Sequence, residues 1–349
     1  MEFLFEYGLF LAKAITFVIT VAVLLIVIIT LTSKQKSKKG EIELNDISEQ
    51  LNETKKAIQE QLLAPAQLKE HHKKEKKQQK EKDKLAKKMA KEGDQSSCLT
   101  QLYVIDFKGS IDAKEVTSLR EEITAIISVA SEKDEVFVRL ESGGGMVHGY
   151  GLAASQLQRL KDSKIPLTIS VDKVAASGGY MMACIADKII AAPFAILGSI
   201  GVIAQIPNFN KLLKKHDIEF EQLTAGEYKR TLTMFGENDQ QGRDKFKQEL
   251  QETHDLFKHF VSEHRPVINI EEVATGEHWY GLQAIKLNLI DHISTSDDYL
   301  LKQLENRHIV HIKYAQRKKL SEKFTQAASL ALENSLLKLM QLNMNRFFK

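Results

Sequence analysis

Hydrophobic and polar positions divide the chain into four stretches of different periodicity. Residues 14–32 carry no charge, and residues 7–12 extend the apolar run upstream past Lys13. At about 1.5 Å per residue the run spans a hydrocarbon core of roughly 30 Å. Glu2 and Glu6 precede it and Ser33-Lys34-Gln35-Lys36 follows. A cleaved signal peptide would instead begin with basic residues and end at a small-residue cleavage site. The pattern predicts an uncleaved N-terminal membrane anchor over 1–33. Lys34, Lys36, Lys38 and Lys39 lie just beyond the span, a bias that favours a cytoplasmic location for that end.

Residues 34–97 are almost entirely charged and amide residues, with too few apolar positions to bury a core. Lysines alternate with glutamates there, which predicts a solvated spacer, helical or disordered, rather than a basic nucleic-acid patch. From residue 98 to 315 the period changes. LTQLYVIDFKG reads as a strand, AKEVTSLREEITAIISVA as a helix, DEVFVRLESGGG as a strand running into glycines, and VHGYGLAASQLQRLKDS as a helix. IPLTISVDKVA reads as a strand, SGGYMMACIADKI as a short apolar helix, and IIAAPFAILGSIGVIAQ as one or two strands. A helix and strand follow in NFNKLLKKHDIEFEQL, then a long helix over 238–264.

Alternating strands and helices predict an α/β domain of repeated βαβ units around a mostly parallel sheet. Residues 174–206 are apolar enough to suggest a second span. Asp187, Lys188 and Pro193 interrupt them, so they read as buried core. Residues 316–349 form a C-terminal amphipathic helix with Phe324, Ala328, Leu332, Leu336 and Leu339 near one face. That face suits either a neighbouring subunit or a membrane surface.

Composition narrows the function classes. Of the residues, 43% are hydrophobic, enough for a sizeable core, and 49 Lys and Arg against 46 Asp and Glu give +3, which argues for no nucleic-acid partner. The two cysteines, Cys98 and Cys184, form neither a CxxC pair nor a cluster with histidines. No metal or cofactor is implied, and two unbridged thiols are the simpler reading.

The chemistry centres on a few positions. Ser177 lies in Val174-Ala175-Ala176-Ser177-Gly178-Gly179-Tyr180, where a strand passes into an apolar helix. Such a turn exposes the hydroxyl, lets a substrate backbone approach, and offers free helix amides to an oxyanion. Read locally, Ser177 serves equally well as a helix cap. The loop Glu141-Ser142-Gly143-Gly144-Gly145 also joins a strand to a helix, but it matches neither GxxxxGK[ST] nor GxGxxG, so nucleotide binding is not indicated. A serine nucleophile needs a base. The histidines lie among polar residues and read as surface positions. Lys229, in Thr224-Ala225-Gly226-Glu227-Tyr228-Lys229-Arg230, is followed by Leu232, Met234 and Phe235. An apolar setting favours the neutral amine that a base requires. Lys173, closer in sequence, reads as a strand-edge residue.

Together, RLESGGGMVHGYG, KVAASGGYMMACIADKI, Gly198-Ser199-Ile200-Gly201-Val202, TAGEYKR and TGEHWYGLQAIKLNLID, in this order, resemble the signal peptide peptidase A family of serine peptidases (peptidase family S49), most of all its SohB branch. The resemblance covers residues 99–293. It implies a ClpP/crotonase-like fold and a Ser/Lys dyad in which Ser177 attacks the peptide carbonyl and Lys229 moves its proton. Gly143, Gly144 and the Gly178 amide would form the oxyanion hole, and Ser199 would line the substrate groove. It further implies a homo-oligomer with sites shared between subunits, peptide or protein substrates such as signal peptides or other unfolded apolar segments, and residence in the bacterial inner membrane with the catalytic domain on the periplasmic side. That side opposes the lysine bias after the anchor. One departure stands out: the family's loop commonly reads Asn-Ser-Pro-Gly-Gly, and this chain has neither the Asn nor the Pro. Two other readings share parts of the pattern, a crotonase-like acyl-CoA enzyme and a non-catalytic membrane-bound scaffold ring.

Overall fold

The computed structural model describes residues 40–63 and 100–315, together with 7–11, 13–17 and 20–21 near the N-terminus, which are helical. Two units separate, residues 1–41 with 316–349 and residues 42–315. Most of the expected anchor, residues 34–39 and 64–97 of the expected spacer and the expected C-terminal helix lie outside the described residues. No described helix is long and apolar enough to cross a membrane.

In chain order the elements are β1 (Glu41–Asp46), α1 (Ile47–Leu62), β2 (Thr100–Lys108), α2 (Val116–Val129), β3 (Glu135–Glu141), α3 (Val147–Asp162) and β4 (Leu167–Val171). Then follow β5 (Val174–Ala176), α4 (Gly178–Ala183), β6 (Lys188–Ala191), β7 (Ile196–Gly198), α5 (Asn210–Lys215) and α6 (Gln240–His264). The last are α7 (Ile270–Val273), β8 (His278–Tyr280), α8 (Gly281–Ala284), β9 (His292–Ile293), α9 (Ser296–Gln303) and β10 (Arg307–Ala315).

Seven strands form one sheet in the order β1-β10-β2-β3-β4-β6-β9, and the pairs from β10 to β9 are all parallel. Its central strands β3 and β4 are buried along nearly their whole length, as strands covered on both faces must be. Every residue of β4 is buried. On one face Leu119, Ile123 and Ile126 of α2, at helical spacing, pack with Tyr150 and Leu157 of α3 and with α4. On the other, Leu102, Val104, Phe137 and Ile309 meet Tyr299 and Leu300 of α9, with Phe137 and Tyr299 stacked at 4.8 Å. The expected α/β architecture with repeated parallel units is what forms; of residues 174–206, read as buried core, most of 174–200 is buried, while Asp187, Phe194 and residues 203–206 are exposed.

A second sheet, β5-β7-β8, stands beside the first, with β5 and β7 parallel and β7 and β8 antiparallel. Chain leaves the first sheet for the second at two points. Ser142, just past β3, bridges to Ala175 of β5. Residues read as one strand, IPLTISVDKVA, split into β4 and β5, because Asp172 turns away to accept the Ser296 amide at 2.8 Å.

Three expectations are corrected. Glu41–Leu62, assigned to the charged spacer, instead form β1 and α1 at the edge of the large sheet. Local capping and long-range bonds outweigh their polar composition: Asp46 caps α1 through the Glu49 amide, His308 donates to Asp46 at 2.7 Å, and Ser48 Oγ takes the Ile309 amide at 2.8 Å. The strand expected after α5 does not form, since residues 216–239 are irregular and mostly exposed. His308, read as a surface residue, is part-buried in this edge network.

Candidate active site

Ser177 sits where β5 ends and α4 begins. Its backbone has φ 52° and ψ −120°, a region that side-chain-bearing residues rarely adopt. Two main-chain bonds hold it there, Ser177 N to Gly198 O at 2.8 Å and Met181 N to Ser177 O at 3.0 Å. The hydroxyl makes no capping bond to α4, so the helix-cap reading does not describe it. Backbone strain of this kind, of order 1–3 kcal/mol, persists where the surroundings enforce it. Here the β5–β7 pairing, with Ala176 opposite Gly198, enforces it.

The glycine loop lies directly against Ser177. Gly144 has φ +87°, and a Cβ there would come within 2.7 Å of both Ser177 Cβ and the Gly178 nitrogen. The Gly144 amide points to Ser142 Oγ at 3.1 Å. Gly178 opens α4, and an amide in a first helical turn has no acceptor within its own helix. Gly143 is exposed, with nothing within 4 Å of where a Cβ would sit. The structure therefore brings Ser177, Gly144 and Gly178 together.

Beside them opens a cavity of about 470 Å³, lined by Gly145, Val147, Gly151 and Ser155, by Ser177, Gly178 and Met181, and by Gly201, Val202 and Ile203. Thr253, Leu256, Phe257 and Phe260 of α6 complete the lining. These α6 positions follow helical spacing, so the signal for an apolar wall was present in a helix read only for its length. Ser199 is not part of this wall. It has φ 51°, and its Oγ reaches Gly276 O at 3.4 Å. Its neighbours Gly201 and Val202 line the cavity in its place.

Lys229 lies on the exposed segment 219–230, with its amide bonded to Gly226 O at 3.2 Å. No residue of that segment lines the cavity at Ser177, so a single chain does not join the two. Lys173 pairs with Glu141 at 3.1 Å, and with Lys108 it holds the Glu141 carboxyl below its ordinary range. That lysine is occupied at the strand edge, as its position suggested. His254 Nε2 lies 3.2 Å from the Ile200 carbonyl. Cys184 is a free, buried thiol pushed up by burial to about 12, which leaves it inert as a nucleophile. Among the described residues no group of three or more His, Cys, Asp or Glu is placed to hold a metal ion.

Comparison with known proteins adds a second line of observation. Residues 2–157 match the sequence profile described as "Peptidase family S49 N-terminal", and residues 159–309 match "Peptidase family S49". The chain is 51% identical over 332 residues to "Probable protease SohB" of Haemophilus influenzae, covering 94% of this chain and 93% of that protein. It is 48% identical over 340 residues to the protein of the same name in Buchnera aphidicola subsp. Schizaphis graminum, covering 96% of each. Among solved structures, a mutant of the 1510-N membrane-bound stomatin-specific protease is 16% identical, with a TM-score of 0.41 over 61% of this chain and 98% of that one.

Proposed function

The chain belongs to peptidase family S49, in its SohB branch, and we propose that within this family it is a membrane-anchored serine endopeptidase working through a Ser177/Lys229 dyad. The carrying observation is Ser177 itself, held at φ 52° on a strand-to-helix turn beside an apolar cavity, with its hydroxyl free of the helix it precedes. The parallel units with a small second sheet at the nucleophile fit a ClpP/crotonase-like fold.

In the proposed reaction Ser177 Oγ attacks the substrate carbonyl while Lys229 Nζ takes the hydroxyl proton. The Gly178 amide, with Gly143 as a second donor and Gly144 as the wall between them, stabilises the developing oxyanion. Lys229 then protonates the leaving amine, and water, deprotonated by the same lysine, hydrolyses the acyl-enzyme. The exposure of Lys229, together with its absence from the residues that line the Ser177 cavity, fits a dyad completed by a neighbouring subunit, with Lys229 of one copy serving Ser177 of the next.

The cavity favours an apolar substrate side chain, because Val147, Met181, Val202, Leu256, Phe257 and Phe260 offer it mostly hydrocarbon. Signal peptides and other unfolded apolar segments supply such side chains. The uncharged run at residues 14–32 supports an N-terminal anchor in the bacterial inner membrane. A C-terminal reporter active only outside the cytoplasm tests the periplasmic side, and silence of an expressed fusion overturns it.

The deciding experiment is cleavage of apolar signal-peptide-like peptides by detergent-solubilised protein. Ser177→Ala and Lys229→Ala should each abolish cleavage, and mixing the two inactive chains should restore part of it. Cleavage that survives either substitution removes the dyad. Failure of mixing to restore activity removes the shared site.

A further inference from the structure

Three successive glycines, Gly143 to Gly145, have no side chains with which to order themselves, so whatever holds this loop against Ser177 must lie outside it. Beneath it runs a chain of hydrogen bonds with a fixed direction. The Tyr150 hydroxyl, on a side chain of α3 with no exposed surface, donates to the Ser110 carbonyl at 2.8 Å. Its single proton is thereby committed, so in the 2.5 Å contact between Ser142 Oγ and Tyr150 Oη the serine is the donor. Ser142 Oγ in turn accepts the Gly144 amide at 3.1 Å. The order is Gly144 N–H to Ser142 O–H to Tyr150 O–H to Ser110 carbonyl, and the members of such a chain strengthen one another.

Space has been kept for this arrangement. A Cβ on Gly109 would stand 2.4 Å from Tyr150 Oη and 2.8 Å from Ser142 Oγ. A Cβ on Gly178 would stand 2.4 Å from Tyr150 Cγ, so the same ring also lies under the proposed oxyanion donor. Burial pushes the Tyr150 phenol above its ordinary range, which keeps it a neutral donor. At its far end the loop is tied by Met146 N to Ile111 O at 2.8 Å.

We infer that Tyr150, acting through Ser142, is a positioning residue that sets the glycine loop against Ser177 and Gly178. The inference rests on the peptidase reading of Ser177. Tyr150 touches neither substrate nor reacting atoms. Its effect runs through the placement of Gly144, and displacement of a site wall by about 1 Å can cost up to 100-fold in rate.

The test uses the full-length chain in detergent with two readouts. Tyr150→Phe keeps the ring and removes the hydroxyl, and Ser142→Ala breaks the same chain one member along. Each should lower kcat about tenfold and leave KM within about twofold, because the loop acts on the transition state more than on binding. The double variant should be no worse than either single one, since members of one network are not additive. Amide exchange in residues 142–146 should quicken at least about tenfold in both variants, while exchange in β3 and α3 stays at the wild-type rate. Unchanged kcat and exchange, or single effects that add, overturn the inference. Exchange is read without any substrate. If the wild-type chain cleaves nothing, the peptidase reading fails on its own, and loop exchange alone then supports or overturns the role of Tyr150.

Discussion

The main-chain amide of Ser177 donates to the carbonyl of Gly198 at 2.8 Å, and both residues have positive φ, 52° and 89°. The bond joins the residue that follows β5 to the last residue of β7, so the strained geometry at Ser177 is imposed by a neighbouring strand as well as by its own short helix. The position of the candidate nucleophile thus depends on the second, smaller sheet, and the large sheet supplies its foundation through Ser142 and Ala175.

If the surroundings impose that geometry, relieving it should stabilise the protein. Ser177→Gly and Ser177→Ala both remove the hydroxyl and should both be inactive. Only the glycine variant is free of the Cβ clash at φ 52°. After the extra entropy a glycine loses on folding is subtracted, it should exceed the alanine variant by about 1 kcal/mol in denaturant titrations. Equal midpoints would show that no strain is stored at this position.

Gly198 provides the complementary case. A Cβ there meets the Trp279 ring at 2.7 Å in addition to the unfavourable φ. Gly198→Ala should cost about 2 kcal/mol and lower peptide cleavage at least about tenfold, because the acceptor that holds Ser177 moves with it. Gly226→Ala is the control, with φ +99° but nothing within 4 Å of the added carbon. Its cost should be near 1 kcal/mol. Equal losses at the two sites would show that the Trp279 contact does not matter.

These positions also mark where local pattern ends. Strands β2 to β4 and helices α2 and α3 follow apolar periodicity, and Ser177 was legible from the glycines after a strand. The separation of β4 from β5 was not, because it depends on Asp172 binding Ser296, 124 residues away. Strand β10 alternates polar residues with Ile309 and Ile312, a signal present but weak beside its histidines and lysine. Lys229 was read from its motif and from the apolar residues after it, and nothing in the packing of one chain, where it is exposed, selects it. Helix α1 was hidden by its charge. Its amphipathic face stays largely exposed, with Ser48 its one buried residue, and what docks it is a capping aspartate and one histidine far along the chain.

That docking gives a pH-dependent prediction. Burial alone would raise the Asp46 carboxyl, but bonds from the Glu49 amide and His308 outweigh it and hold it below the ordinary carboxylate range. A carboxylate depressed in the folded state contributes stability that is complete above its unfolded value, about 3.9, and is lost as pH falls through the folded one. Protection of residues 41–62 against protease should therefore fall below about pH 4. Asp46→Asn, which keeps an N-cap, should remove that acid dependence, whereas Asp46→Ala should weaken docking at pH 7 by about 1 kcal/mol. Acid lability that persists in the Asn variant would assign the effect to another group.

The cavity beside Ser177 offers a test of specificity that spares the dyad. Gly151 lies on α3 at the cavity wall, and a Cβ there meets nothing within 4 Å. Gly151→Leu should fold well, since replacing a helical glycine by a good helix former gains up to about 1 kcal/mol. The new side chain would occupy space that a substrate's apolar side chain otherwise takes. Loss of a hydrophobic subsite of this kind is worth about 1–3 kcal/mol. For peptides with Leu or Phe at the cleaved position, kcat/KM should fall about 10- to 100-fold, while peptides with Ala there should be cut at nearly the wild-type rate. A uniform loss across both sets would mean that the leucine disturbs Ser177. No loss in either would mean that the cavity holds no substrate side chain.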